Sequence, residues 1–251
     1  MNNEYYNITP QIYDDQFWWK KDDIEFWKNT FNNNNKTILE LAAGTGRLGL
    51  PLIKEGYKYT GIEIAQSYCD YGNIFFQQKC HKDCLKNADM RFFNLEHKYD
   101  YIFIGFNSLL HLLNEQDIYN CLQSIKKHMH TSSQFYIDIF VPSPLSLHRP
   151  KDTALRVLEF VDSNSKQLIS IDEILDYDDK TEIADILWIY LNEDDQILFE
   201  FNFQMKMYYP DTMNRLLVEN GFSINNLWGS YEKKPFTENS TLQIYQCNLK
   251  F

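Results

Sequence analysis

Positive charge is scarce in this chain. Its 251 residues carry 24 Lys and Arg against 35 Asp and Glu, a formal net charge of −11. Nucleic-acid backbones are bound through cationic surface. The nearest approaches to one, Lys20-Lys21, Lys126-Lys127 and Lys233-Lys234, are isolated pairs, so no nucleic-acid partner is expected. Long apolar runs are missing too, and none reaches the roughly 18 residues a membrane span needs. The opening Met1-Asn2-Asn3-Glu4-Tyr5-Tyr6 lacks the basic and apolar regions of a signal segment. No membrane partner is expected, and a cytoplasmic location is. Cysteine is sparse and odd in number: Cys69, Cys80, Cys84, Cys121 and Cys247. That suits a reducing compartment better than a disulfide framework. Cys80-His81-x-x-Cys84 is half of a metal site without a second ligand pair, so no metal is expected.

What the chain does have is apolar and aromatic bulk. Apolar residues make up 44% and aromatics 16%, with 17 Tyr and 18 Phe, enough for a full core and an aromatic-lined pocket. The length suits one α/β domain with an elaboration. Residues 11–31 read as aromatic and helical, with Ile24, Trp27 and Phe31 on one face, and Asn32 to Asn35 as a polar break. Strands then alternate with helices: strands over 37–42, 58–63, 89–93, 99–106 and 133–140, helices near 47–55, 67–86 and 115–130. Such alternation predicts an α/β, doubly wound, Rossmann-like sheet with right-handed crossovers. Pro142-Ser143-Pro144 breaks the pattern. Residues 155–161, 167–175, 182–191 and 197–208 then read as an antiparallel β insertion after strand five. A helix over 210–220 and strands near 222–229 and 241–250 complete a seven-stranded, mostly parallel sheet. The expected division is 1–146 with 209–251 as the ligand-binding domain, and 147–208 as an inserted lid or dimerisation subdomain.

The densest chemistry lies in Ile38-Leu39-Glu40-Leu41-Ala42-Ala43-Gly44-Thr45-Gly46-Arg47-Leu48-Gly49. It reads as a strand, a tight glycine turn and a helix start, a geometry that brings backbone close to a ligand and offers free N–H groups. Glu63 closes the next strand, where an acidic residue can grip a ribose diol. The literal Gly44-x-Gly46-x-x-Gly49 also fits a dinucleotide fingerprint. Glu40 favours S-adenosylmethionine (SAM), because a carboxylate there can act, through the loop amides or through water, on an amino-acid ammonium group. Glu40, Gly44, Glu63, Asp89 and Asn107 all fall at or near strand ends, where ligands of such sheets sit.

Taken in order, Ile38 to Arg47, Gly61-Ile62-Glu63, Ala88-Asp89-Met90-Arg91, Tyr99 to Leu112, Ile137-Asp138-Ile139-Phe140-Val141-Pro142, Tyr208-Tyr209-Pro210 and Asn220-Gly221-Phe222 resemble the class I SAM-dependent methyltransferases. The nearest look is to a bacterial small-molecule group similar to the sugar-amine N,N-dimethyltransferases. Two departures are Ala42, where many members have Gly, and Glu63, where many have Asp. The resemblance implies SAM as cofactor and S-adenosylhomocysteine (SAH) as product. It places Ala42, Ala43, Gly44, Thr45, Gly46 and Arg47, with Glu40, around the methionine part. Glu63 would bind the ribose, Ile64 and Met90 would pack by adenine, and Asp89 would accept from its amino group, with Arg91 alongside. Phe106 and Asn107 would line the sulfonium, and Tyr13 would fold over the cofactor from the N-terminal segment.

Methyl transfer is an in-line displacement that depends mainly on alignment and water exclusion. An amine acceptor must first lose a proton. His111, four residues past Asn107, is the candidate base; Tyr13, Tyr209 and Tyr231 are candidates for orienting the acceptor. His81, His128, His130 and His148 sit in stretches that read as exposed, and no role is assigned to them. The expected activity is methyl transfer to nitrogen or oxygen of a small molecule, with a homodimer possible. Methylation of RNA or protein, silent SAM binding and NAD-dependent oxidoreduction are the competing readings.

Overall fold

A computed structural model describes residues 8–31, 34–80, 82–150 and 152–250. Asn32, Asn33 and His81 lie outside the described residues. In chain order the elements are α1 (Pro10–Gln16), α2 (Asp22–Thr30), β1 (Thr37–Leu41), α3 (Gly49–Lys54), β2 (Lys58–Glu63), α4 (Gln66–Cys80), β3 (Leu85–Asn87) and β4 (Tyr99–Ile104). A 3₁₀ turn (Ser108–His111) follows, then α5 (Glu115–Lys127), β5 (Met129–Phe140), α6 (Pro144–Leu147), β6 (Leu155–Val161), β7 (Leu168–Asp178), β8 (Ile183–Leu191), β9 (Ile197–Lys206), α7 (Pro210–Glu219), β10 (Phe222–Trp228) and β11 (Leu242–Leu249). These fall into two compact units, one from Asp22–Val141 and Tyr208–Phe251, the other from Met1–Lys21 and Pro142–Met207.

The first unit is built on seven strands in the order β10-β11-β5-β4-β1-β2-β3. β1 to β5 run parallel, and β11 runs antiparallel to both β5 and β10. This is the doubly wound, Rossmann-like α/β fold expected of class I methyltransferases. From β1 the chain winds outward to β2 and β3, then returns to lay β4 on the other side of β1. The order therefore reverses between β1 and β4, and that switch point is where such sheets bind ligands. β1 and β4 are covered on both faces, so Ile38, Leu39, Leu41, Ile102, Phe103 and Ile104 are all buried. On one face Trp27 of α2 and Phe31, just past its end, are inserted. Trp27 meets Phe103 at 4.5 Å and Phe31 meets Tyr101 at 4.9 Å between ring centroids. α5 is capped by Asn114, whose side chain accepts from the Asp117 N–H at 2.9 Å, and it buries Ile118, Cys121, Leu122 and Ile125 on one stripe.

Several boundaries differ from the sequence reading. Strand three lies over Leu85–Asn87, not 89–93. Arg91, Phe92 and Phe93 look like a strand, but Phe92 is exposed and Phe93 stacks on His128 at 4.5 Å. His128 is correspondingly buried rather than exposed. Its Nε2 accepts from the Leu95 N–H at 2.8 Å, and its Nδ1 lies 2.7 Å from the Ser124 carbonyl. The thiols of Cys80 and Cys84 lie 3.5 Å apart. Among the described residues no group of three His, Cys, Asp or Glu is placed to hold a metal ion. No described helix is long and apolar enough to cross a membrane.

The second unit is a four-stranded antiparallel sheet, β6-β7-β8-β9, with α1 packed on it. Ile8, Ile12 and Tyr13 join Phe160, Ile169, Ile171, Tyr190 and Phe201 in one apolar cluster. The buried Tyr190 hydroxyl donates to Gln16 Oε1 at 2.8 Å. The continuous helical pattern read over 11–31 is thus two helices in two different units. Residues 8–21 fall in one unit with the inserted sheet, whereas the expected division places them in the 1–146 segment. Apolar spacing shows that a helix has a buried face, not which sheet covers it.

Candidate functional site

The carboxyl ends of β1, β2, β3 and β4 share one edge of the seven-stranded sheet. Register sets Leu41 beside Ile62 and Ile104, and Glu63 beside Asn87. The turn after β1 is left-handed at Ala42 (φ 54°), Gly44 (57°) and Gly46 (83°). Ala42 adopts a conformation that favours glycine, so the departure at this position is accommodated with strain. A Cβ on Gly46 would lie 2.5 Å from the Phe76 ring, and one on Gly72 in α4 would lie 2.4 Å from the Thr45 carbonyl oxygen. α4 therefore presses directly beneath the turn. The Ala43 N–H donates to the Ile62 carbonyl at 2.9 Å and the Gly46 N–H to the Ala43 carbonyl at 2.9 Å.

Two buried carboxylates stand beside this turn. Glu63 accepts from the Gly44 N–H at 3.0 Å and from the Ala65 N–H at 2.9 Å. Burial pushes its carboxyl above the ordinary range, and these backbone donors oppose the shift. Glu40 is 3% exposed and accepts from the Tyr59 hydroxyl at 2.6 Å. Burial raises its carboxyl to about 8, with the Tyr59 bond and the nearby Arg47 charge pulling the other way. A cation delivered to Glu40 would restore its ionised form.

The other predicted residues divide. Ile64 is 39% exposed beside Glu63, and Asn87 holds that segment by donating to the carbonyls of Ile64 at 2.7 Å and Glu63 at 3.1 Å. Asp89 and Met90 follow directly after β3, at the strand end. The Asp89 carboxylate is engaged by Arg91, whose Nη2 donates at 2.6 Å while its Nη1 reaches Asp117 at 3.0 Å. Burial raises the Asp89 carboxyl, but the Arg91 bonds and charge outweigh it and hold the group below its usual value. Arg91 thus orients Asp89. Arg47 is likewise committed. It donates to both oxygens of the fully buried Asp23, at 3.0 and 2.6 Å, and its guanidinium lies 4.9 Å from the centre of the Phe106 ring. Phe106 and Asn107 are both left-handed, at φ 51° and 64°. His111 ends the 3₁₀ turn that begins just after them. Tyr13 belongs to the other unit, where its ring meets Phe17 at 5.0 Å.

Three residues at this edge had no assigned role: Asp23, Asn87 and Asp138. Asp138 carried the clearest signal, a charged residue inside the apolar run Ile137-Asp138-Ile139-Phe140. It is buried, and its carboxylate accepts from the Tyr231 hydroxyl at 2.9 Å. The Tyr231 hydroxyl is therefore engaged within the protein.

Residues 38–132, which contain every one of these strand ends, match the family model of a methyltransferase domain. No curated protein matches the sequence. Among solved structures, the chain is similar to an S-adenosylmethionine-dependent methyltransferase from Clostridium acetobutylicum, at 18% identity and a TM-score of 0.78, covering 98% of this chain and 100% of that one. It is also similar to the CcbJ methyltransferase of Streptomyces caelestis, at 17% identity and a TM-score of 0.76, covering 92% and 89%. The SAM-bound amino pentose methyltransferase CalS10 of Micromonospora echinaspora superposes at 11% identity and a TM-score of 0.64, covering 91% and 89%. These likenesses establish the fold over nearly the whole chain, with its seven-stranded sheet and the reversed order between β1 and β4.

Proposed function

We propose that this protein is a SAM-dependent methyltransferase acting on nitrogen or oxygen of a small molecule. One observation carries the cofactor reading. Glu40, Glu63 and Asp89 stand at the ends of three neighbouring strands, around a left-handed turn. SAM offers three sets of donors, an ammonium, a ribose diol and an adenine amine, and the chain offers a carboxylate for each. Glu63 accepts the diol while keeping its backbone donors, since each carboxylate oxygen has two lone pairs. Ile64 and Met90 supply apolar surface for the ring. Phe106 and Asn107 line the methyl-bearing end. When bound, SAM supplies an electrophilic methyl on a sulfonium, open to in-line attack by a lone pair.

The protein contributes alignment and proton handling. His111, on the turn after β4, accepts the proton that an amine or hydroxyl acceptor must lose. Holding reactants aligned lowers such a barrier by roughly 7–11 kcal/mol. The amino pentose named for CalS10 supports an amino sugar as the first acceptor class to screen. The inserted unit supplies a dimer surface in this reading. Its edge strands expose Leu155, Val157 and Val161 on β6 and Ile197 and Leu198 on β9, and sedimentation of the intact chain measures the oligomer directly.

The deciding experiment is thermal unfolding with SAH, with NAD in parallel. A ligand at 100 times its dissociation constant stabilises the folded state by about 2.7 kcal/mol. A rise with SAH alone supports the reading. A rise with NAD alone overturns it in favour of an oxidoreductase. Binding of SAH without transfer to any amine or hydroxyl acceptor leaves a silent SAM-binding protein. With an acceptor in hand, His111→Gln is expected to lower kcat by 10²–10⁴-fold near neutral pH.

A further inference from the structure

Phe106 and Asn107 are two consecutive non-glycine residues in the left-handed region, which side chains rarely adopt singly. Such a pair persists only where its surroundings impose it. Here the surroundings converge on one residue. The Asp138 carboxylate accepts from the Phe106 N–H at 3.3 Å, and its main-chain carbonyl accepts from the Asn107 N–H at 3.0 Å. The same carboxylate oxygen accepts from the Tyr231 hydroxyl at 2.9 Å. Two residues further along the same strand, the Phe140 N–H donates to Asn107 Oδ1 at 2.8 Å.

We infer that Asp138, anchored by Tyr231, is a positioning residue for methyl transfer, holding the Phe106–Asn107 backbone so that the Phe106 ring is set for the sulfonium. The inference rests on the SAM reading given above. Asp138 is 1% exposed and acts through the loop, not on the reactants. Tyr231 lies in the connection between β10 and β11, so that connection is tied through Asp138 to the end of β4. Arg47 also lies 4.9 Å from the Phe106 ring centre, and its charge is matched by Asp23, to which it donates two hydrogen bonds. The ring is thereby held without leaving a net positive charge beside a cationic ligand. Aromatic rings attract cations through their quadrupole, and this attraction distinguishes the sulfonium of SAM from the neutral thioether of SAH. A residue that sets the ring should change that distinction.

The test is calorimetric titration of SAM and of SAH into the wild type, Tyr231→Phe and Asp138→Asn, with amide exchange over residues 105–111. Tyr231→Phe removes one anchor and should weaken SAM by about tenfold while leaving SAH within about twofold. Exchange at Phe106 and Asn107 should quicken in the same variant. Asp138→Asn keeps an accepting oxygen and should fall between wild type and Tyr231→Phe. If SAM and SAH weaken in parallel with a drop in Tm, the role is merely structural and the inference fails. If exchange quickens with both affinities unchanged, it fails too. A wild type that binds neither compound overturns the cofactor reading itself, and this inference with it; unaltered discrimination in variants of a wild type that does bind overturns the inference alone.

Discussion

The two units bury charge very differently. In the seven-stranded unit Asp23, Glu40, Glu63 and Asp138 are all buried carboxylates, and all lie at or beside the strand-end edge. Among the described residues of the inserted unit, the buried polar side chains are the uncharged Gln16 and Ser170. Both units have the means to pack without charge, since each has an aromatic and aliphatic core. Removing a carboxylate from water is costly unless it is paired or hydrogen-bonded. Each of the four is so satisfied: Asp23 by Arg47, Glu40 by Tyr59, Glu63 by backbone N–H groups, Asp138 by Tyr231 and Phe106. The difference falls at the edge proposed to bind the cofactor. One unit bears buried charge around a strained turn, and the other is held together chiefly by apolar contact.

The comparison breaks most violently at Gly46. Gly46→Val adds a branched side chain at φ 83°, with its Cβ 2.5 Å from the Phe76 ring. Loss of several kcal/mol of stability is expected, from left-handed strain plus overpacking, together with loss of SAH binding. Denaturant unfolding and calorimetry measure the two separately. Glu63→Gln is the next largest change. The amide nitrogen would face either the Gly44 or the Ala65 N–H, donor against donor, and a charge-assisted acceptor for the ligand would vanish. SAH affinity should fall by about 100-fold, near 2.7 kcal/mol. An unchanged affinity would remove Glu63 from the binding site.

How much of this could be read from residues alone follows the same division. The turn from Ala42 to Arg47 and its partner Glu63 were legible, because glycines and a carboxylate at strand ends leave a local pattern. Strand three was misplaced because Met90-Arg91-Phe92-Phe93 looks extended and apolar, while the solvent and His128 take its two rings. Asp89 nonetheless stands just past the true end of β3, at a strand end as expected. Arg47 and Arg91 read as ligand contacts, yet both are held by carboxylates of the chain itself, Asp23 and the pair Asp89 and Asp117. Those pairings span up to 26 residues and leave no local spacing to detect. The insertion was legible as antiparallel strands, but the placement of α1 on it was not, for the contact joins residues about 150 apart.

Glu40 sharpens the comparison through pH. Its carboxyl titrates near 8 when folded, raised by burial from an ordinary value of 4.5. The folded state therefore holds a proton that the unfolded chain releases between about pH 4.5 and 8. By linkage, stability falls as pH rises through that window. Glu40→Gln should flatten this part of the stability profile. The same group makes ligand binding pH-dependent in the opposite sense. A ligand ammonium favours ionised Glu40, so SAH affinity should rise from pH 6 to 8, by up to about tenfold per unit. Calorimetry in buffers of different ionisation enthalpy would register the released proton. A flat affinity profile would separate Glu40 from the ammonium.

The smallest expected effect lies in the inserted unit and tests the division itself. Tyr190→Phe deletes one hydroxyl and leaves the buried Gln16 Oε1 without the 2.8 Å donor it has now. An unmet buried acceptor costs about 1–3 kcal/mol, which in a chain of this length lowers Tm by a few degrees. SAH affinity should not change, because the hydroxyl and its partner both belong to the unit without buried charge. Stability and binding would then be separable by unit: carboxylates at the strand ends govern the ligand, and the Tyr190–Gln16 bond governs only how firmly α1 is fixed to its sheet. A loss of SAH affinity in Tyr190→Phe, at a temperature where the variant is fully folded, would mean that the packing of α1 is felt at the turn after β1, and the contrast between the units would be one of composition alone.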